Sequence, residues 1–178
     1  AAHAQDAKIG IQLYHGGRQA SSATSGSQPV APSPIPDPVV NELPRELTKK
    51  DIDLLVRQFG ESAGRAKKAG MDFVEIHGAH GYLITQFLSP FTNKRTDGYG
   101  GTPAKRLRFL KEVYAAVRKA VGAKFTVTLR LSGDEYVPGG LRLKDTILIV
   151  KEMEKLGIAA IHVSAGNYAS YAQGILIP

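Results

Sequence analysis

Two histidines and a tyrosine crowd the run His77-Gly78-Ala79-His80-Gly81-Tyr82. Two imidazole N–H groups aimed at one oxygen would polarise a carbonyl and support negative charge developing on it. A phenol beside them is a candidate proton source. Metal ligation competes as a reading of two imidazoles three residues apart. It is disfavoured because such a site needs three or four ligands, no third candidate adjoins the pair, and the chain has no cysteine. Packed loop histidines and a core tyrosine are the plain structural alternative. Arg130 also demands a partner. It ends an alternating run, Thr126-Val127-Thr128-Leu129-Arg130-Leu131. A guanidinium there is costly to bury unless an anionic or acceptor-rich group receives it. The receiver is either a protein carboxylate such as Glu75 or a ligand.

The elements that must carry these groups alternate between strand and helix. Strands are expected at Lys8 to Leu13, Met71 to Ile76, Phe125 to Leu131 and Ile158 to Val163. One helix is expected after Thr48, a cap with Asp51 three residues on, along the stripe Ile52, Leu55, Val56 and Phe59 to a stop at Gly70. A second opens at Thr102-Pro103 and runs through Leu107, Leu110, Val113, Tyr114, Val117 and Val121 to Gly122. A third carries Ile147, Val150, Met153 and Leu156 and stops at Gly157. Residues 21–44 are rich in Ser, Pro and Val, and Pro29, Pro32, Pro34, Pro36 and Pro38 forbid a helix. A loop of that length is either an active-site lid or a passive excursion.

Side chains alternate along a strand, so residues of one parity share a face. Gln12, then Glu75 and His77, then Thr126, Thr128 and Arg130, then His162 and Ser164 fall on one face, opposite an apolar one. Most of these polar groups lie towards the strands' C-terminal ends, where barrel enzymes collect their active sites. Strand–helix alternation implies parallel pairing, in either a doubly wound sheet or part of a (β/α)8 barrel. The glycine fingerprint of a dinucleotide-binding first turn is absent. Four strands in 178 residues make a barrel reading a partial one, since a full barrel takes about 250 residues.

Composition narrows the class. The chain is 43% hydrophobic, enough for one domain with a real core, and no apolar run approaches a membrane span of about 20 residues. It opens on Ala1 with no signal-peptide pattern and has no cysteine, so the cytoplasm is the expected compartment. The net charge of +7 raises the question of nucleic acid. The basic groups, such as Lys67-Lys68 and Lys94-Arg95, lie on or beside helices without interleaved aromatics, which fits solvated outer faces and no nucleic-acid partner.

Taken together and in order, the motifs resemble the Old Yellow Enzyme family. Ile11-Gln12-Leu13-Tyr14-His15-Gly16-Gly17-Arg18 is similar to its third-strand motif. His77-Gly78-Ala79-His80-Gly81-Tyr82-Leu83 and Gln86-Phe87-Leu88-Ser89-Pro90 resemble its fourth. Arg95-Thr96-Asp97-Gly98-Tyr99-Gly100-Gly101 and Arg106-Leu107-Arg108-Phe109 resemble the loop and helix that follow. Leu129-Arg130-Leu131-Ser132 and His162-Val163-Ser164-Ala165-Gly166 resemble strands five and six. The branch is the bacterial NADH:flavin oxidoreductases, with ene-reductases and 2,4-dienoyl-CoA reductase-like enzymes.

The resemblance implies an FMN-containing (β/α)8 TIM barrel, of which residues 1–178 form one partial domain holding strands three to six. It implies that Gln12 and Arg130 contact the pyrimidine edge of the flavin. His77 and His80 would hold the carbonyl oxygen of an α,β-unsaturated substrate. Tyr82 would give a proton to the α-carbon while reduced flavin N5 gives hydride to the β-carbon, NAD(P)H having reduced the flavin first. Departures are Gly98 for an acidic residue, Lys105 for asparagine, and Arg142 for a capping threonine. Strands one, two, seven and eight, and the phosphate-binding loops after the last two, are expected to lie outside this chain. A non-catalytic fragment completed by another chain is the alternative. Unpaired strand edges make self-association, and so a homo-oligomer, the expected state.

Overall fold

The computed structural model describes residues 1–174. Its frame is a parallel sheet of β1 (Gly10–Leu13), β4 (Phe73–Gly78), β5 (Thr126–Ser132) and β6 (Ala160–Ser164), in that spatial order. Between β1 and β4 run α1 (Ser22–Ser25), the short strands β2 (Val30–Ala31) and β3 (Arg45–Glu46), which pair with each other, and α2 (Lys49–Lys68). Then come α3 (Leu83–Leu88), α4 (Pro103–Val121), α5 (Leu143–Lys155) and α6 (Tyr168–Tyr171). Spatial order follows chain order with no reversal among the four main strands. A doubly wound sheet reverses at its switch point, so an unreversed order fits a barrel wall.

The outward parity of the strands, including Leu13, Val74, Ile76, Val127, Leu129 and Leu131, packs under α2, α4 and α5 in one core with Phe59, Ala63, Leu110, Val113, Val117 and Met153. Thr48 caps α2 through a reciprocal pair with Asp51, as its spacing predicts, and Gly122 closes α4 at φ 81°. Gly60 lets α2 and α4 meet closely: a Cβ there would stand 2.9 Å from the Ala116 carbonyl oxygen. Each main strand begins one or two residues later than its apolar run suggests, because the first residues of each run belong to the approach to the strand.

Along α5 the expected stripe holds only in part. Thr146, Ile149 and Met153 are buried, while Ile147 and Leu156 are exposed. Apolar residues go almost all round this helix, so periodicity alone does not choose its inner face. Arg142 has no acceptor and cannot cap α5 with its side chain. One half of the motif survives, its backbone N–H donating to Asp145 Oδ2 at 3.0 Å. No helix among the described residues is long and apolar enough to cross a membrane.

The proline-rich loop is moored by two arginines. Arg18 donates to the Pro36 carbonyl at 3.0 Å and stands 3.8 Å from the buried Asp37 carboxylate. Arg95 donates to the carbonyls of Pro32 at 3.1 Å and Leu47 at 2.7 Å. Ser22–Gln28 lie exposed outside these moorings.

Candidate active site

Register brings the polar parity into rows. Gln12 pairs with Glu75 and Glu75 with Thr128. Two residues further along, His77 pairs with Arg130 and Arg130 with His162. Ser132 and Ser164 pair one step beyond. The face expected from alternation therefore exists, and it runs towards the strands' C-terminal ends.

The lower row is closed on Glu75. Its carboxylate accepts from Gln12 Nε2 at 2.7 Å and Thr128 Oγ1 at 3.2 Å, and His162 Nδ1 lies 3.3 Å away. Arg130 gains no carboxylate from it. The guanidinium donates to Ser164 Oγ at 3.2 Å, and its buried Nε has no partner among the described residues. Among the described residues no carboxylate forms an ion pair with Arg130, and its Nε is left with donor capacity to spare.

His77 continues β4 and is almost wholly buried. Its Nδ1 accepts the Ala79 N–H at 3.2 Å, which leaves Nε2 as the donor of a neutral ring. Burial, reinforced by His80 and Arg130 and opposed by Glu75, brings its pKa down to about 4. His80 sits in the left-handed region at φ 59°, strained for a residue with a Cβ. That turn swings its ring back, so the two imidazoles meet edge to face with centroids 5.1 Å apart. The His80 N–H donates to Ser132 Oγ at 3.0 Å, and its Nε2 lies 2.6 Å from Ser164 Oγ. Burial, then Arg130 and His162, lower its pKa to about 4 as well. Both rings are neutral at pH 7.

Tyr82 precedes α3 and meets His77 edge to face at 4.9 Å. Burial, then the Tyr168 phenol and Tyr14, push its pKa up to about 12, so it stays protonated. Tyr14 and Tyr168, which residue types alone do not single out, stand 5.2 and 6.4 Å from the Tyr82 ring. Gln86 stitches the turn below: it accepts the Arg18 N–H at 3.2 Å and donates to the Gly81 carbonyl at 2.7 Å. Its only sequence signal is its place in the fourth-strand motif. Among the described residues no group of three or more His, Cys, Asp or Glu side chains could hold a metal.

The model for the NADH:flavin oxidoreductase / NADH oxidase family matches residues 1–174. The chain belongs to this family. The NADH oxidase of Thermoanaerobacter brockii is 46% identical over 171 residues, covering 96% of this chain and 26% of that protein. The NADPH dehydrogenase of Geobacillus sp. (strain WCH70) is 48% identical over 160 residues, covering 90% of this chain and 46% of that one. The crystal structure of the old yellow enzyme homologue from Zymomonas mobilis superposes with a TM-score of 0.83 at 34% identity, covering 90% of this chain and 48% of that one. The family member's four parallel strands are a contiguous part of a (β/α)8 barrel, and the chain spans about a quarter to a half of the relatives it matches.

Proposed function

We propose that the protein containing this chain is an FMN-dependent oxidoreductase that uses NAD(P)H to reduce alkenes conjugated to a carbonyl. The observation that supports the reading is Arg130: a guanidinium on the polar face with no carboxylate and no Nε partner among the described residues. The acceptor-rich pyrimidine edge of a flavin fits that donor set, with Gln12 on the same face as the second holding residue. Held by Gln12 and Arg130, FMN would supply hydride chemistry at this face, and the Arg130 cation at the ring edge would favour the reduced form.

The rest follows from the chain's own groups. His77 Nε2–H and an N–H of His80 donate to the substrate carbonyl oxygen. Both rings are neutral, so they act as hydrogen-bond donors that support an enolate without protonating it outright. Tyr82, held protonated by its raised pKa, gives a proton to the α-carbon. The names of the relatives above, an NADH oxidase and an NADPH dehydrogenase, support a nicotinamide reductant for this chain's parent.

The full-length protein should purify yellow and oxidise NADH or NADPH with 2-cyclohexenone present. Tyr82→Phe should bind the enone normally yet reduce it about 10²-fold more slowly, with flavin reduction by NAD(P)H intact. Colourless protein, or enone reduction at full speed in Tyr82→Phe, would refute the cofactor or the proton donor respectively.

A further inference from the structure

Glu135 is a buried carboxyl outside this chemistry, and it sits where three C-terminal loops converge. Its Oε2 accepts from the Ser89 hydroxyl at the end of α3 and from the Leu141 N–H at 2.7 Å. Its Oε1 accepts from Asn167 Nδ2 at 3.0 Å. Burial pushes the Glu135 carboxyl's pKa up, and its hydrogen-bond donors and the nearby Arg18, with Asp37 behind that arginine, oppose the rise. Of Glu135's three partners, the two amide N–H groups can only donate, so each carboxyl oxygen is held as an acceptor.

Asn167 transmits this anchor to the substrate side. Its backbone pairs with that of His80 as an isolated parallel bridge. Gly81, at φ +76°, lies so close that a Cβ on it would stand 2.9 Å from Asn167 Cβ. Ser132 adds a second tie, accepting the His80 N–H and donating to the Gly166 carbonyl at 3.3 Å. Asn167 cannot flip its amide without loss, because its Oδ1 accepts the Ser170 N–H at 3.1 Å and caps α6. Every group in the path is committed, so a change at Glu135 must be felt at the strained His80 turn.

We propose that Glu135, acting through Asn167, is the positioning residue that holds His80 in its carbonyl-binding place. The inference rests on the substrate role given to His80 above.

Donor and acceptor can be exchanged without changing shape, which supplies the test. In Glu135→Gln, the amide must either face Asn167 Nδ2 or face the Leu141 N–H, donor against donor in both cases. Asn167→Asp sets acceptor against acceptor. The pair Glu135→Gln/Asn167→Asp restores one donor and one acceptor and keeps the α6 cap. The full-length, FMN-loaded protein would be titrated with 4-hydroxybenzaldehyde, following flavin absorbance. Each single variant should raise Kd about tenfold, and the pair should return to within about threefold of wild type, with FMN content unchanged. Singles that bind like wild type, or a pair no better than its singles, overturn the inference. If a single variant fails to fold, a pair with wild-type affinity still supports it and a pair with weak affinity overturns it. Phenol binding left intact by both His77→Ala and His80→Ala would overturn the underlying site assignment, and this inference with it.

Discussion

The protonation states of the paired imidazoles have a consequence for stability. Both histidines have folded pKa values near 4, below the ordinary value of 6.5. Between those values the unfolded chain binds more protons than the folded one. Stability from these sites is therefore complete above about pH 6.5 and is lost as pH falls towards 4. Urea unfolding at pH 7 and pH 4.5 should show this loss, and His77→Asn should shrink it. On the role proposed for Arg130, Arg130→Ala should retain less FMN and lower the flavin's reduction potential, because a charge-assisted contact to the reduced ring would be lost. Unchanged flavin content and potential would end that role. Strand parity put Gln12, His77 and Arg130 on one face, and residue type singled out His80 and Tyr82 in the run that follows β4; the roles proposed for them came from the family resemblance. Tyr14, Tyr168 and Asn167 were not legible in this way, because their relation to the site depends on loop paths that local spacing does not encode.

At the scale of elements, the long amphipathic helices were the readable part. α2 and α4 carry clear stripes, caps and glycine stops, and their spans agree with the expectation within a residue or two. α3 was missed because all six of its residues are buried, which leaves no periodicity to detect. The stripe expected on α5 holds at Val150 and Met153 but not at Ile147 and Leu156, because a helix apolar on several sides offers several stripes. The α2–α4 contact gives an element-scale prediction. Gly60→Ala improves intrinsic helix propensity yet drives a methyl against the Ala116 carbonyl, so the helices must separate. Net destabilisation of about 1–2 kcal/mol is expected, seen as a fall in Tm of about 2–4 °C per kcal/mol. A rise in Tm would show that the helices part without cost.

For the whole molecule, the open sheet matters most. Among the described residues β1 and β6 are edge strands, and Val163 on β6 and Leu143, Ile147 and Leu148 on α5 are exposed apolar side chains. An unpaired edge beside apolar surface invites another chain. The chain of residues 1–178 by itself should therefore self-associate. It should also hold FMN weakly, since phosphate grips in such barrels come from the loops after the last two strands. Light scattering and a flavin titration would check both. A monomer with tight FMN binding would show that four strands suffice.

The two arginine moorings divide the proline-rich loop into unequal parts. Between Ala31 and Asp37 the backbone is held by Arg18 and Arg95, and Ser33 Oγ accepts the Lys94 N–H at 2.9 Å. Among the described residues, the side-chain hydrogen bonds that tie Ser22–Gln28 down reach only Glu42 and Leu43 in the same loop. A protease needs several residues of extended, detachable chain to cut, so the two parts should differ sharply as substrates. Brief digestion of the native protein should nick first within residues 22–28 and leave 31–37 whole. The same stretch is where a tag or a reporter can be inserted with least disturbance to the histidine turn.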